Sequence, residues 1–357
     1  MKIGIVTYHR TMNYGAVMQS LAMRFVLQKM GHEVYYVDYW PDYHRDKYKL
    51  FPVRKFVKLS LKNKVNFIKS LVLNHKSQKR RIYNFEKFFK TQIYPYCCSV
   101  DESFDVVIYG SDQIWRKQKE LCAYNPFYFG DNKLKTNHNV AYAASMGILP
   151  NNDEDKAIVK ALVAHLEKIS VREEDLRQLL LSLGFANVSL TLDPTLLLSA
   201  EEWDKYLPTE NYIGEKYALL YIMGVNAFDI NEVKKFTESQ GLKLIVIRGY
   251  AMTKETKSNL TSADPYKFIH LIKNAEYVFS ASFHGLAFSI IYGKQFFASF
   301  VGNTGRAESL LNLIGIPERL LPSNSMIPEN MPPVNYSDVC KKLVPLREES
   351  LKFLATI

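Results

Sequence analysis

The chain has 357 residues, 47% of them hydrophobic and 23% charged, with a formal net charge of +10. That length supports two domains with substantial cores, and the basic surplus points to an acidic partner. No apolar run reaches the roughly 18–20 residues of a membrane span. Residues 1–7 hold one positive charge and a short strand-like run, without a signal peptide's longer apolar stretch, so the expected location is the cytoplasm. Cys97, Cys98, Cys122 and Cys340 form no Cys-x-x-Cys pair, and no His-x-x-x-His pair occurs. Neither a metal site nor a bound cofactor is expected.

In chain order, residues 3–7 read as a buried strand, and 8–15 as a polar turn containing Asn13-Tyr14-Gly15. Val17, Leu21 and Phe25 have helical spacing, ended by Gly31, and 33–38 form the next strand. This βαβ unit implies a parallel sheet. The turn lacks Gly-x-Gly-x-x-Gly, so Asp38 has no dinucleotide fingerprint to serve. Residues 45–90 carry fifteen bases against two acids, a surplus of thirteen. Apolar spacing there predicts two basic amphipathic helices. They suit either a solvated insertion packed by its stripe or contact with an anionic membrane surface. No nucleic-acid motif accompanies the charge.

The strand at 104–109 runs into Gly110-Ser111-Asp112-Gln113, which sets Asp112 at a sheet's carboxyl edge. There it either handles a hydroxyl proton or caps a helix. The strand at 139–147 ends in small residues around Ser145, and a helix is expected over 153–167. Arg172 follows the strand 169–171 and suits either a phosphate or a structural ion pair with a neighbouring acid. The strand 188–192 ends in Asp193-Pro194-Thr195. The pattern restarts with strands at 218–222, 243–247, 277–279 and 295–299. Helices are expected at 228–240, 264–274, 284–293, 304–314 and 337–355. The expected domains are 1–198, a linker at 199–216, and 217–335, with a helix at 336–357 returning to the first domain. His284 lies in a tight strand-to-helix turn, the place where open α/β sheets bind anions, and where a histidine also caps. Strand ends carrying Asn13, Tyr14, Gly15, Asp112, Ser145 and Arg172 would face Arg248, Ser282, Phe283, His284 and Arg306. That arrangement suits a two-domain transferase with an anionic donor.

Taken together, the motifs resemble the polysaccharide pyruvyl transferase family. They are Asn13-Tyr14-Gly15-Ala16 with Gln19, residues 105–115, residues 142–147, Ser170-Val171-Arg172-Glu173, Asp193-Pro194-Thr195, Asp264-Pro265 and Ser282-Phe283-His284-Gly285, in the family's order. The resemblance implies an α/β fold of two Rossmann-like doubly wound domains facing a central cleft, as in B-type glycosyltransferases. It implies an enzyme with phosphoenolpyruvate as donor substrate and a cell-surface glycan, or its lipid-linked precursor, as acceptor. A pyruvate ketal and free phosphate would be the products. His284 and Asp112 are the catalytic candidates. Arg172, Ser282, Phe283, Gly285, Arg248 and Arg306 are expected on the donor side. Asn13, Tyr14, Gly15, Ser111, Gln113 and Ser145 are expected on the acceptor side. The basic region 45–90 belongs to none of the motifs. Well-characterised relatives carry Arg-Leu-His-Gly where this chain has Ser-Phe-His-Gly. The lost charge must then come from Arg172, Arg248 or Arg306, or the donor differs. The alternatives are a B-type glycosyltransferase using a nucleotide sugar and a non-catalytic glycan-binding assembly protein.

Overall fold

The computed structural model describes all residues except 52, 58, 209–213 and 251–252, so Lys58 and part of the 199–216 linker lie outside the described residues. Two all-parallel sheets form the frame. The first contains β1 (Lys2–Val6), β2 (Glu33–Val37), β3 (Cys97–Cys98), β4 (Ser103–Tyr109), β5 (Lys135–Ala144), β6 (Lys168–Val171) and β7 (Val188–Leu190). The second contains β8 (Tyr217–Ile222), β9 (Lys243–Arg248), β10 (Asn259–Leu260), β11 (Tyr277–Ser280) and β12 (Gln295–Ala298). Their orders are β3-β2-β1-β4-β5-β6-β7 and β10-β9-β8-β11-β12. Both sheets reverse winding direction beside their first strand, between β1 and β4 and between β8 and β11. Doubly wound sheets hold ligands at that reversal, beyond the strands' carboxyl ends. Register fixes which residues reach those ends: Val6 pairs with Tyr109, and Ser280 with Tyr221.

The central strands are near-continuous apolar runs because helices cover both faces. Tyr217–Ile222 is buried at all six positions. The short edge strands β3 and β10 carry too few residues to stand out from the flanking loops, and the sequence reading passes over both.

The helix Tyr14–Lys29 joins the two halves. Asn13 caps it, its side-chain oxygen accepting from the amides of Gly15 at 3.0 Å and Ala16 at 3.5 Å. Every residue from Tyr14 to Leu27 is buried, far more than the single stripe of Val17, Leu21 and Phe25 suggests. A helix buried all round sits inside a core. Here the core is shared: Val17 and Leu21 cluster with Leu196, Trp203, Leu286 and Phe288. Tyr14 stacks on Phe268 of the second half at 4.6 Å, and its hydroxyl donates to the Ala263 carbonyl at 2.7 Å.

The basic region departs from the two-helix expectation. It holds short helices at Asp42–Lys47 and Val53–Val57, then one helix, Leu61–Gln92. Its inner end is pinned in the seam. Arg81 donates to Tyr14 Oη at 2.9 Å, to the Met12 carbonyl at 2.8 Å and to the Thr261 carbonyl at 3.2 Å. Asn84 donates to the Ser262 carbonyl at 2.7 Å. These anchors hold the inner turns in place.

The helix Tyr336–Ala355 lies against the first half: Leu192 N–H donates to Ser350 Oγ at 3.0 Å and Arg347 Nε to the Leu196 carbonyl at 2.8 Å. Among the described residues, no helix is long and apolar enough to cross a membrane.

Tyr14→Phe removes the hydroxyl that joins Ala263 and Arg81 while keeping the ring stack. A loss of about 1–3 kcal/mol in unfolding free energy is expected by chemical denaturation. An unchanged midpoint would show that this bond contributes nothing.

Candidate active site

The site is assembled from the loops that leave the carboxyl ends of the strands. After β4 the chain turns through Gly110, with φ 130°, and Asp112, with φ 72°. Asp112 is held in this left-handed conformation by its own carboxylate, which accepts from Gln113 N–H at 2.8 Å. Ser111 is buried, its carbonyl accepting from Thr7 Oγ1 at 3.0 Å. After β5, Ser145 Oγ donates to Glu173 Oε1 at 2.5 Å. After β6 comes Arg172, and after β7 comes Asp193.

Asp193 is the hub. Its Oδ1 accepts from Thr195 N–H at 3.0 Å and Thr195 Oγ1 at 2.7 Å. Its Oδ2 accepts from Ser111 Oγ at 3.1 Å and pairs with Arg172 Nη1. His284, from the helix Phe283–Ile291 of the second half, brings Nε2 to 3.5 Å from the same Oδ2. Burial opposes the charge on Asp193, but His284, Arg172 and the Thr195 amide outweigh it and hold the carboxyl far below the usual range.

Arg172 has one edge hydrogen-bonded and one that is not. Nη1 serves Asp193, while Nε and Nη2 are buried and lack a hydrogen-bond partner. Nε and Nη2 form the edge that grips an oxyanion bidentately. Glu173 Oε1 lies 3.6 Å from Nε, and Asp112 Oδ1 lies 3.9 Å from Nη2. Burial pushes the Glu173 carboxyl up against the pull of Arg172 and Arg306. The Phe283 ring is near both guanidinium groups, 4.8 Å from Arg172 Cζ and 5.8 Å from Arg306 Cζ. Burial and then the Arg172 charge pull the Arg306 guanidinium down, and its Nε is unpartnered. His284 Nε2 and Glu173 Oε2 are likewise buried without a partner. Since buried polar groups are nearly always paired, unpartnered atoms gathered in one place mark a ligand position.

The structure thus gathers Ser111, Asp112, Ser145, Arg172, Phe283, His284 and Arg306. Gly15 belongs with them because a Cβ there would fall 2.0 Å from His284 Nδ1. Gly285 is equally tight, a Cβ falling 2.2 Å from Ser280 Oγ. Asn13 is occupied as a cap and Tyr14 in the seam. Gln113 packs beneath Gly147. Ser282 leaves its helix without a side-chain cap, and its amide donates to Ser280 Oγ at 3.2 Å. Arg248 is engaged with Asn259 Oδ1 at 2.8 Å. Asp193, Glu173 and Arg81 are the site and seam residues that spacing does not single out. For Asp193 the available signal was Asp-Pro at the end of a strand.

Another cluster brings ligand atoms of His9, Asp38 and Cys97 within 4.8 Å of one another. Both oxygens of Asp38 already accept from Arg10 Nη1, at 2.6 and 2.8 Å, and burial pushes the Cys97 thiol to about 12.

The family model described as polysaccharide pyruvyl transferase matches residues 13–299. The chain belongs to this family. No curated protein matches it in sequence. Many solved structures are similar to this chain, and three serve as examples. One is the UDP-GlcNAc 2-epimerase from Methanocaldococcus jannaschii, with 11% identity, 97% of this chain and 93% of that one covered, and TM-score 0.46. A second is the corresponding enzyme from Neisseria meningitidis, with 10%, 99% and 94%, and TM-score 0.44. The third is the glycosyltransferase SnogD from Streptomyces nogalater, with 10%, 99% and 96%, and TM-score 0.41. The two parallel sheets themselves carry the fold assignment.

Asp193→Asn takes from buried Arg172 the carboxylate that it hydrogen-bonds, for which about 3–5 kcal/mol of destabilisation is expected. The native carboxylate titrates lower than the unfolded one, so its stabilisation is complete above the unfolded value of about 4 and lost as pH falls through the folded one. The gap between wild type and variant should therefore narrow as pH drops from about 5 to 3. A constant gap over that range in urea titrations would contradict the ionised pair.

Proposed function

We propose that this family member transfers pyruvyl from phosphoenolpyruvate to two hydroxyls of a sugar, forming a pyruvate ketal and releasing inorganic phosphate. The acceptor is a cell-surface glycan or its lipid-linked precursor, met in the cytoplasm at the inner face of the membrane. One observation carries the donor assignment. Arg172 Nε and Nη2, Arg306 Nε and His284 Nε2 are all buried without a hydrogen-bond partner, and their side chains lie around Phe283. Phosphoenolpyruvate supplies phosphate and carboxylate oxygens that match such donors. Ser282 stands where relatives hold an arginine, and Arg306 offers a second guanidinium beside Phe283.

The chemistry divides among named groups. A proton goes to the methylene carbon of the donor, and positive character builds at the neighbouring carbon. One sugar hydroxyl attacks that carbon and gives up its proton. A second hydroxyl then displaces phosphate and closes the ketal. Of the two hydroxyl protons, one replaces the proton consumed at the methylene and the other leaves with phosphate. His284 moves the proton at Nε2, where the Asp193 carboxylate at 3.5 Å stabilises positive charge that the ring gains during turnover. Asp112 takes the proton of the attacking hydroxyl or anchors it.

The test is inorganic phosphate release from phosphoenolpyruvate against a panel of glycan acceptors. Acceptor-dependent release is expected, reduced about 100-fold or more in His284→Ala with the circular dichroism spectrum retained. Near wild-type release from that variant would remove His284 from the mechanism. Nucleoside diphosphate release from a nucleotide sugar, with phosphoenolpyruvate untouched, would replace this reading with glycosyl transfer.

Gly15→Ala tests the packing of the same ring. The new methyl displaces His284, so a loss of at least about tenfold in kcat is expected, with little change in KM. Unchanged kcat would show that the ring position is not critical.

A further inference from the structure

The outer half of the helix Leu61–Gln92 plays no part in the site. Its inner half is buried at Arg81, Phe85, Phe88 and Phe89. The outer half carries large apolar side chains in the open: Leu61 is 82% exposed, Val65 52%, Ile68 45% and Val72 71%. Their spacing of four, three and four places them within about 60° of one another around the axis. The stripe is therefore one continuous face, and Phe67 packs on a different one, against Phe51 and Phe56 at 5.8 Å. Lys62, Lys69 and Lys76 border the stripe on one side and Lys64 on the other, and Lys79 lies on the line of the stripe itself, beyond Val72. No acidic residue occurs in this helix before Glu86.

We propose that this face docks on an anionic lipid bilayer, the apolar stripe entering the headgroup boundary and the flanking lysines meeting lipid phosphates. A chain of apolar residues bordered by bases matches a surface that is apolar below and anionic above. A second copy fits poorly, since an isologous contact sets each face against itself and would oppose lysine to lysine. Nucleic acid would satisfy the lysines and leave the stripe in water. Because the same helix is pinned by Arg81 between the two halves, docking would bring the interdomain cleft to the lipid surface. Only this last step, the delivery of a lipid-linked acceptor, rests on the proposed activity; the lipid contact stands without it.

The experiment is co-sedimentation of the full chain with vesicles of phosphatidylcholine alone or with about one-third phosphatidylglycerol, without donor or acceptor. Binding is expected only to the anionic vesicles, weakening at least tenfold as salt rises from about 0.1 to 0.5 M. Two triple variants, Val65→Ser/Ile68→Ser/Val72→Ser and Lys62→Gln/Lys64→Gln/Lys69→Gln, should each lower partitioning about tenfold. Both should keep wild-type circular dichroism and wild-type turnover on a soluble acceptor. Equal sedimentation with both vesicle types, or binding unaffected in both variants, would overturn the proposal. So would a concentration-dependent dimer, abolished by the serine variant, in a chain that ignores vesicles. Failure of phosphate release with lipid binding intact would count against the donor assignment alone.

Discussion

The buried carboxylate of Asp193 is the constraint on which the site depends. It stands at the end of β7 and gathers the end of β4 through Ser111, the end of β6 through Arg172, and the second half through His284. A charge this deep survives only when compensated on every side. Thr195 satisfies Oδ1 twice, and Oδ2 takes the cation and the hydroxyl. The pairing also orients the guanidinium. With Nη1 drawn to Asp193, the Nε–Nη2 edge is left without a hydrogen bond, facing Glu173 at 3.6 Å and Asp112 at 3.9 Å. Arg172 is thus a structural ion pair on one edge, while the other edge keeps donors without a hydrogen bond beside two carboxylates.

The second organising element is the helix Tyr14–Lys29. Its full burial means that the two halves do not merely touch across a cleft but share a core. Arg81 reinforces the seam from the basic helix, its guanidinium ringed by backbone carbonyls and Tyr14 Oη rather than by a carboxylate. The guanidinium thereby ties Met12, Tyr14 and Thr261 together across the seam.

Most of the fold was legible in the sequence. Long apolar strands, Gly31 after the first helix and Asp264-Pro265 at the start of another are local signals, and the structure shows elements at those places. The order of motifs likewise foreshadowed the family match. Edge strands β3 and β10 were not legible, because two residues of pairing leave no periodicity to read. Nor was the single long helix, whose inner turns are fixed by contacts with residues more than 150 positions away. At the site, spacing marked the residues at strand ends but not their engagement. Asn13 and Tyr14 stood out as a polar turn, yet their side chains cap a helix and close the seam. The role of Asp193 arises only from what three distant segments bring to it, and no local pattern encodes that.

The bare backbone at Gly15 has a further consequence. The imidazole of His284 rests where a side chain at residue 15 would be, while its carboxylate neighbour belongs to the opposite half. Seat and counter-charge both come from one domain and the ring from the other. The surroundings of the ring therefore exist only while the two halves stay together, and a shift of one half against the other would take His284 from both its seat and its counter-charge.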